Sequence, residues 1–437
     1  MNPLAEELNS QLLKENPAIP DMLSERGKKL FFPKGILTQS AEAKVKAKKF
    51  NATIGMATEN GVAMHLPCIR KYIDPIAPND ALTYAPASGK PELRNRWREK
   101  LLADNPGLQG KQFSVPVVTS AITHGLSLVG DLFVDPGDVI VLPDKLWGNY
   151  RLIFGERLGA TFKTFPLYNE KNGFNGSGLR KALDEAAGEK GKALVLLNFP
   201  NNPTGYSITR READDIAAAL KDNATRGRRL VVVHDDAYFG LFYDDEAMRE
   251  SLFAHTVNLD ENILAVKLDG ATKEQYVWGF RVGFITYGIG GRSNKDAIYG
   301  ALEKKTMGAI RGGISNSPHL SQTLVLKALE SKEFAGEARE KYEVMKARAR
   351  RVKEVLGNAK YSDAWTYYPF NSGYFMCLRL KSVNAEALRL HLLERYEVGV
   401  IAVDATDVRI AFSCIEVKCI QELFDIIYQG VQDLAAR

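Results

Sequence analysis

Lys273 stands just past the apolar run NILAVKLD (262–269), and Arg281 stands eight residues beyond the lysine. An ammonium just past a buried strand is costly to desolvate, so its amine is expected to have a use. In a partly dry crevice a lysine loses its proton more readily and adds to an aldehyde to form an imine. Arg281 offers a guanidinium that grips a phosphate through paired hydrogen bonds. Three further stretches set polar groups straight after apolar runs: TSAITHGL (119–126), NNPTG (201–205) and DDAY (235–238). In the first, Ser120 brings a hydroxyl, and Ala121 and Ile122 bring free backbone N–H groups at a helix start, where an anion binds. Asp235 can pair with a protonated ring nitrogen, Tyr238 and Asn202 can bind a ring oxygen, and Trp147 can stack on a ring face.

These groups meet only if their strands share one sheet. SVPVV (114–118), VIVL (139–142), ALVLLNF (193–199), RLVVVHD (229–235), NILAVKLD (262–269) and GFITYG (283–288) have strand length and character. Several are near-continuous apolar runs, which suits strands covered on both faces, as in a parallel sheet. ELRNRWREKLL (92–102) and HGLSLVGDLF (124–133) have helical period, and DPGD (135–138) is a turn. A helix opened by Thr209 and Glu212 in capping-box spacing lies between two strands, as a parallel crossover requires. Open α/β sheets bind ligands beyond the carboxyl ends of their strands, where all four motifs fall. After about residue 320 come long amphipathic helices, then SGYFMCLRL (372–380) and VRIAFS (408–413). The first ~50 residues read as a helix, a turn around FFPKGI and an arm. The expected fold class is therefore α/β, a large domain with a mostly parallel sheet flanked by helices, plus a smaller α+β domain built from both chain ends. The expected division is 1–65 for the arm and part of the small domain, 66–340 for the large domain, and 341–437 for the rest of the small one.

Lysine, carboxylate, phosphate cradle and stacking aromatic together are what pyridoxal 5'-phosphate (PLP) needs. Neither GxGxxG nor GxxxxGK[ST] occurs, which argues against a dinucleotide or a P-loop nucleotide. Singly, each residue has a plainer reading: Lys273 a surface lysine, Asp235 a cap, Trp147 and Tyr238 core aromatics, NNPTG a turn. Their order along the chain favours the chemical reading. His124 reads as structural, and His234, just before Asp235, could hydrogen-bond that carboxylate or simply pack.

That order resembles the fold-type I, class I PLP-dependent aminotransferases, the aspartate and aromatic aminotransferase group, from about residue 50 to about 415. The resemblance implies that Asn202 holds the ring hydroxyl, Asp235 the pyridinium and Tyr238 the ring oxygen. It makes Lys273 the imine lysine, with Arg281, Ser120, Ala121 and Ile122 at the phosphate. TYAPASG (83–89) implies that Tyr84 reaches a neighbouring subunit's phosphate, and Trp147 falls at the stacking aromatic. VRIAFS implies that Arg409 clamps the substrate α-carboxylate, with the Gly55 backbone facing it. IRGGISNSP (310–318) implies that Arg311, lent by the partner chain, reads a side-chain carboxylate; a flexible glycine turn is the other reading. Two departures stand out. Gly270 replaces the serine usual three residues before the lysine, with Thr272 able to compensate, and Ala121 replaces a glycine of the phosphate turn.

The chain has 437 residues, 45% of them hydrophobic, and a net charge of +5 spread without blocks, so no nucleic-acid footprint is indicated. No apolar run approaches the ~18 residues of a membrane helix, and the acidic start does not read as a signal peptide. The four cysteines form no CxxC pair and the six histidines show no metal spacing, so reduced thiols, a cytoplasmic setting and no metal are expected. A homodimer is expected, because Tyr84 and Arg311 make sense only across a boundary. The substrates would be an L-amino acid, acidic or aromatic, and a 2-oxo acid such as 2-oxoglutarate. The rivals are a PLP-dependent β-lyase or decarboxylase on the same fold, and a non-catalytic PLP-sensing regulator, for which the N-terminal ~50 residues are too short to supply a DNA-binding domain.

Overall fold

The computed structural model describes residues 1–15, 23, 28–29, 36–73, 75–186 and 191–436. FFPKGI lies outside the described residues except for Ile36, which opens a helix, Ile36–Lys46.

Seven strands form the large sheet: β1 Val117–Thr119, β2 Val139–Pro143, β3 Thr161–Phe165, β4 Lys192–Asn198, β5 Arg229–Asp235, β6 Ile263–Gly270 and β7 Gly283–Ile289. Their order is β1-β7-β6-β5-β4-β2-β3. Strand β7 runs antiparallel to β1 and β6, and all other neighbours are parallel. The continuous apolar runs are explained by two-sided burial. Val195, Leu197 and Val232 join one core with residues of helices Gly176–Ala186 and Arg210–Thr225. Leu194, Leu196, Val231 and Val233 point the other way, into a core shared with helices Ala121–Phe133 and Lys295–Gly313. Alternation along each strand feeds both cores, and each buried Leu or Val contributes about 1.5–3 kcal/mol.

The crossover helix Arg210–Thr225 carries the capping box: Thr209 Oγ1 accepts from the Glu212 N–H at 3.3 Å, and Glu212 Oε2 from the Thr209 N–H at 2.8 Å. Strand β1 starts three residues later than SVPVV implies. Pro116 has no N–H to give a ladder, so pairing begins at Val117. Helix Ala121–Phe133 starts three residues earlier than its apolar period, directly at the strand end. Edge strand β3, TFKTF, was not foreseen, because its half-exposed alternation lacks a continuous apolar run.

A separate four-stranded antiparallel sheet follows: β8 Trp365–Tyr367, β9 Phe375–Leu380, β10 Ile401–Ala402 and β11 Asp407–Ala411, in the order β8-β9-β11-β10. Helices Phe334–Leu356, Ala385–Tyr396 and Ile420–Ala435 share its core. The N-terminal arm joins this part. Phe50–Asn51 pair in parallel with Val398–Gly399, and the Gln39 side chain bonds both backbone groups of Ala402. The smaller domain thus combines both ends of the chain.

Candidate active site

At the carboxyl ends of β4, β5 and β6 the two sheets enclose a cavity of about 380 Å³. Its lining includes Gly55, Ala121, Ile122, Trp147, Asn202, Asp235, Tyr238, Thr272, Lys273, Arg281 and Arg409. Eleven residues singled out in the sequence, spread over some 350 positions, thus reach one space. Ser120, Tyr84 and Arg311 are not among the lining residues. Ser120 is the N-cap residue at the cavity's edge, and its N–H donates to His124 Nδ1 at 3.0 Å. Tyr84 is 87% exposed. Arg311 sits on the exposed last turn of its helix and donates to Ser315 Oγ at 2.6 Å.

Lys273 follows β6 on a single helical turn, Ala271–Glu274. Its Nζ donates to the Gly55 carbonyl at 2.7 Å and lies 5.2 Å from the Tyr238 ring centre. Burial, then the charges of Arg409 and Arg281, pull its pKa down to about 7, with Asp235 opposing. The amine is thus substantially neutral, and nucleophilic, near neutral pH.

Asp235 ends β5. Its Oδ2 accepts from the Tyr150 hydroxyl at 2.5 Å and its Oδ1 from the Ala237 N–H at 3.1 Å. Burial lifts its pKa to about 6, although both hydrogen bonds oppose the rise. A buried carboxylate in this state gains most from a cationic partner. Asn198 ties neighbouring ends together, donating from Nδ2 to the Asp235 carbonyl at 2.7 Å and accepting the Asn202 N–H at 2.8 Å. In NNPTG, Gly205 has φ +76°, and a Cβ there would lie 2.0 Å from the Phe375 carbonyl oxygen, so the loop packs on β9 only as glycine.

Arg409, on β11, is 2% exposed. Its Nη1 donates to Asn202 Oδ1 and its Nη2 to the Thr53 carbonyl, both at 3.0 Å. Its Cζ stands 4.1 Å from the Phe375 ring centre, and its Nε has no hydrogen-bond partner among the described residues. Two guanidinium cations, Arg281 and Arg409, and the partly protonated Lys273 amine thus line the cavity with one carboxylate among its lining residues, Asp235. Such a site favours anions.

The end of the cavity beside helix Ala121–Phe133 is shaped by a tight crossing. Ala121 adopts φ +64°, and Gly283 on β7 lets it approach, since a Cβ at 283 would lie 2.7 Å from the Ala121 carbonyl carbon. The first N–H groups of helix Ala121–Phe133 need partners from outside the helix. Arg281 also has a left-handed backbone, φ +54°, and donates to the Trp278 carbonyl at 3.2 Å. Serine does not fit at position 270 on this backbone, because a Cβ there would lie 2.6 Å from the Val282 carbonyl oxygen. Thr272 brings the hydroxyl instead, and among the described residues its buried Oγ1 has no hydrogen-bond partner; neither has the Trp278 indole N–H. Ala121 stores left-handed strain of about 1 kcal/mol that glycine would relieve. Ala121→Gly is therefore expected to raise Tm, as calorimetry would show.

The sequence reading missed Tyr150, Asn198 and Trp278. Tyr150 lies three residues after Trp147, and their rings meet edge to face at 5.5 Å. It missed as well a charged cluster behind the site. Lys267, wholly buried inside the apolar β6, bonds Asp236 and stands 3.5 Å from Asp269. Ser251 Oγ donates to Asp236 at 2.6 Å, and Trp97 Nε1 to Asp269 at 3.1 Å. Lys267 and the doubled aspartate of DDAY were the available signals.

The donor set fits PLP. A neutral amine suits the aldehyde, a buried carboxylate the ring nitrogen, and helix N–H groups, the orphaned Thr272 hydroxyl and Arg281 the phosphate.

Comparison with known proteins agrees. The profile of the family "Aminotransferase class I and II" matches residues 57–427. A probable aspartate/prephenate aminotransferase of Aquifex aeolicus is 27% identical over 267 residues, 60% of this chain and 60% of that protein. An aspartate aminotransferase of Bacillus sp. (strain YM-2) is 27% identical over 202 residues, 46% of this chain and 47% of that one. The matches thus span about half to three-fifths of these relatives' lengths. The crystal structure of an aminotransferase from Anaerococcus prevotii superposes with a TM-score of 0.82 at 24% identity, covering 94% of this chain and 99% of that one, which shows a common fold. With its lysine, carboxylate and anion cradle gathered at the strand ends and the family profile running through all of them, the chain belongs to the class I and II aminotransferases, a family that works with PLP.

Proposed function

We propose that the protein is a PLP-dependent aminotransferase. It moves an amino group between an L-amino acid, acidic or aromatic, and a 2-oxo acid such as 2-oxoglutarate, in ping-pong fashion. The observation that carries this reading is the Lys273 amine, its pKa drawn down to about 7, sharing one cavity with buried Asp235 and buried Arg409.

When bound, PLP supplies an aldehyde carbon on which amines exchange and a ring that draws electrons from the substrate Cα. Asp235, held by Tyr150 and the Ala237 N–H, would hold a proton on the ring nitrogen. Asn202 and Tyr238 bind the ring oxygen, and Trp147 covers a ring face. Ser120, Ala121, Ile122, Thr272 and Arg281 hold the phosphate. Arg409 orients the substrate α-carboxylate, with Gly55 backbone against the same group; a paired clamp in a dry site contributes about 2–4 kcal/mol. Lys273 Nζ would serve as the base for the substrate Cα proton and then as the acid that gives it back. Tyr84 and Arg311, both exposed on one protomer, work across the interface of a homodimer.

A half-reaction screen tests this. Single L-amino acids are added to the PLP-loaded enzyme without any oxo acid, and the spectrum of bound cofactor and released oxo acid are followed. Stoichiometric oxo acid with aspartate, glutamate or an aromatic amino acid is expected, reversed by 2-oxoglutarate. Catalytic release of pyruvate or carbon dioxide without an acceptor would replace transamination by lyase or decarboxylase chemistry. Reaction with aromatic amino acids but neither acidic one would remove Arg311 as a dicarboxylate reader.

A further inference from the structure

Lys145 lies in the loop after β2, two residues before Trp147. Its Nζ is 2.6 Å from Asp407 Oδ2 and 3.7 Å from Asp404 Oδ2, and it stands 4.9 Å from the Tyr368 ring centre. The Asp407 side chain is 1% exposed. Its other oxygen accepts from the Tyr368 and Thr406 hydroxyls, each at 3.2 Å. Although burial pulls the Lys145 ammonium down, the bond to Asp407 holds its pKa above the ordinary value.

Asp407 and Arg409 are two residues apart on β11, so their side chains leave the same face, with Cα atoms about 7 Å apart. A guanidinium reaches across that distance. A buried carboxylate that loses its cation turns to the next one available, and here that is Arg409, whose Nε has no hydrogen-bond partner among the described residues. A ring of contacts fixes the present arrangement. Lys145 bonds Asp407, Arg409 bonds Asn202, and the neighbouring Asn201 donates from Nδ2 to the Lys145 carbonyl at 3.0 Å.

We propose that Lys145 is a positioning residue: it holds the buried Asp407 carboxylate and so leaves Arg409 free for the carboxylate of the substrate. The proposal rests on the reading of Arg409 as the substrate clamp. It makes Asp407 an internal competitor of the substrate, silenced by a lysine from the loop that also carries Trp147.

The test is calorimetric titration of the PLP-loaded enzyme with two non-reacting acids, succinate and 3-phenylpropionate, which lack both amino and oxo groups. Lys145→Gln keeps a donor for Asp407 but removes the charge, and is expected to weaken binding of the better probe at least about tenfold. Lys145→Arg, and Lys145→Gln combined with Asp407→Asn, are expected within about threefold of wild type. A plain staple between the two domains predicts the opposite for the double variant, which still lacks the ion pair. The proposal is overturned if Lys145→Gln loses less than about threefold, or if the double variant binds no better than the single one. Arg409→Met separates the underlying reading. If neither probe binds wild type, or if Arg409→Met binds as wild type does, Arg409 is not the clamp and both ideas fail. If Arg409→Met loses binding while Lys145→Gln does not, only the role of Lys145 falls.

Discussion

Replacing Lys273 with alanine is expected to lower kcat/KM at least about 10⁴-fold, the loss of both a nucleophile and the base that moves the Cα proton. The effect is large because nothing else in the cavity substitutes. Tyr238, the nearest titratable neighbour, is held protonated by burial, and Asp235 lies on β5 with its oxygens committed to Tyr150 and Ala237. Single-turnover rates with one amino acid measure the loss directly, and a variant with full activity would refute the assignment. The same amine sets a pH window. In the cofactor-free protein its pKa is about 7, against 10.5 for an ordinary lysine. Below pH 7 the folded and unfolded chains both carry the proton, and the folded one pays the full desolvation penalty. Between about pH 7 and 10.5 the unfolded chain binds more protons, so stability rises with pH. Denaturant titrations of the cofactor-free protein should show that rise, and Lys273→Met should flatten it. The rate of covalent PLP capture should climb through the same pKa, because only the neutral amine attacks.

Replacing Asp235 with asparagine is expected to lower kcat about 10³-fold while PLP still binds. Asparagine nearly preserves the shape, so phosphate contacts survive, but it does not hold a proton on the ring nitrogen. The carboxylate must itself be ionised to do so, and its pKa in the free protein, about 6, sets an acidic limb. Tyr150→Phe removes a hydrogen bond that favours the charged form, so that limb should move to higher pH in the free enzyme. An unchanged kcat in Asp235→Asn, with the same bound-cofactor spectrum, would show that the carboxylate is not at the ring nitrogen.

The sequence by itself determined six of the seven strands of the large sheet and the crossover helix between β4 and β5, because two-sided burial demands near-continuous Val, Leu and Ile that few other structures tolerate. It also supplied the polar groups at the strand ends, since Asp235 closes an apolar run and Asn202 and Lys273 stand within four residues of the end of one. Strand ends of a parallel sheet meet on one side, and this topological fact turned separate motifs into one site. Less could be read where the decisive contact joins distant segments. Tyr150 bonds Asp235 from 85 residues away, and Arg409 bonds Asn202 from 207 residues away. Neither bond has a local signature. The missing serine at position 270 was visible as a departure, but its cause, the Val282 carbonyl on the neighbouring strand, was not. Lys267 within an apolar run has no local explanation, because Asp236 and Asp269 reach it only in the fold. Local sequence fixes backbone habit and side-chain chemistry, because those depend on the residue and its neighbours. Which charge neutralises which, how far a pKa moves and whether a Cβ fits depend on groups that only the folded chain brings within a few ångströms.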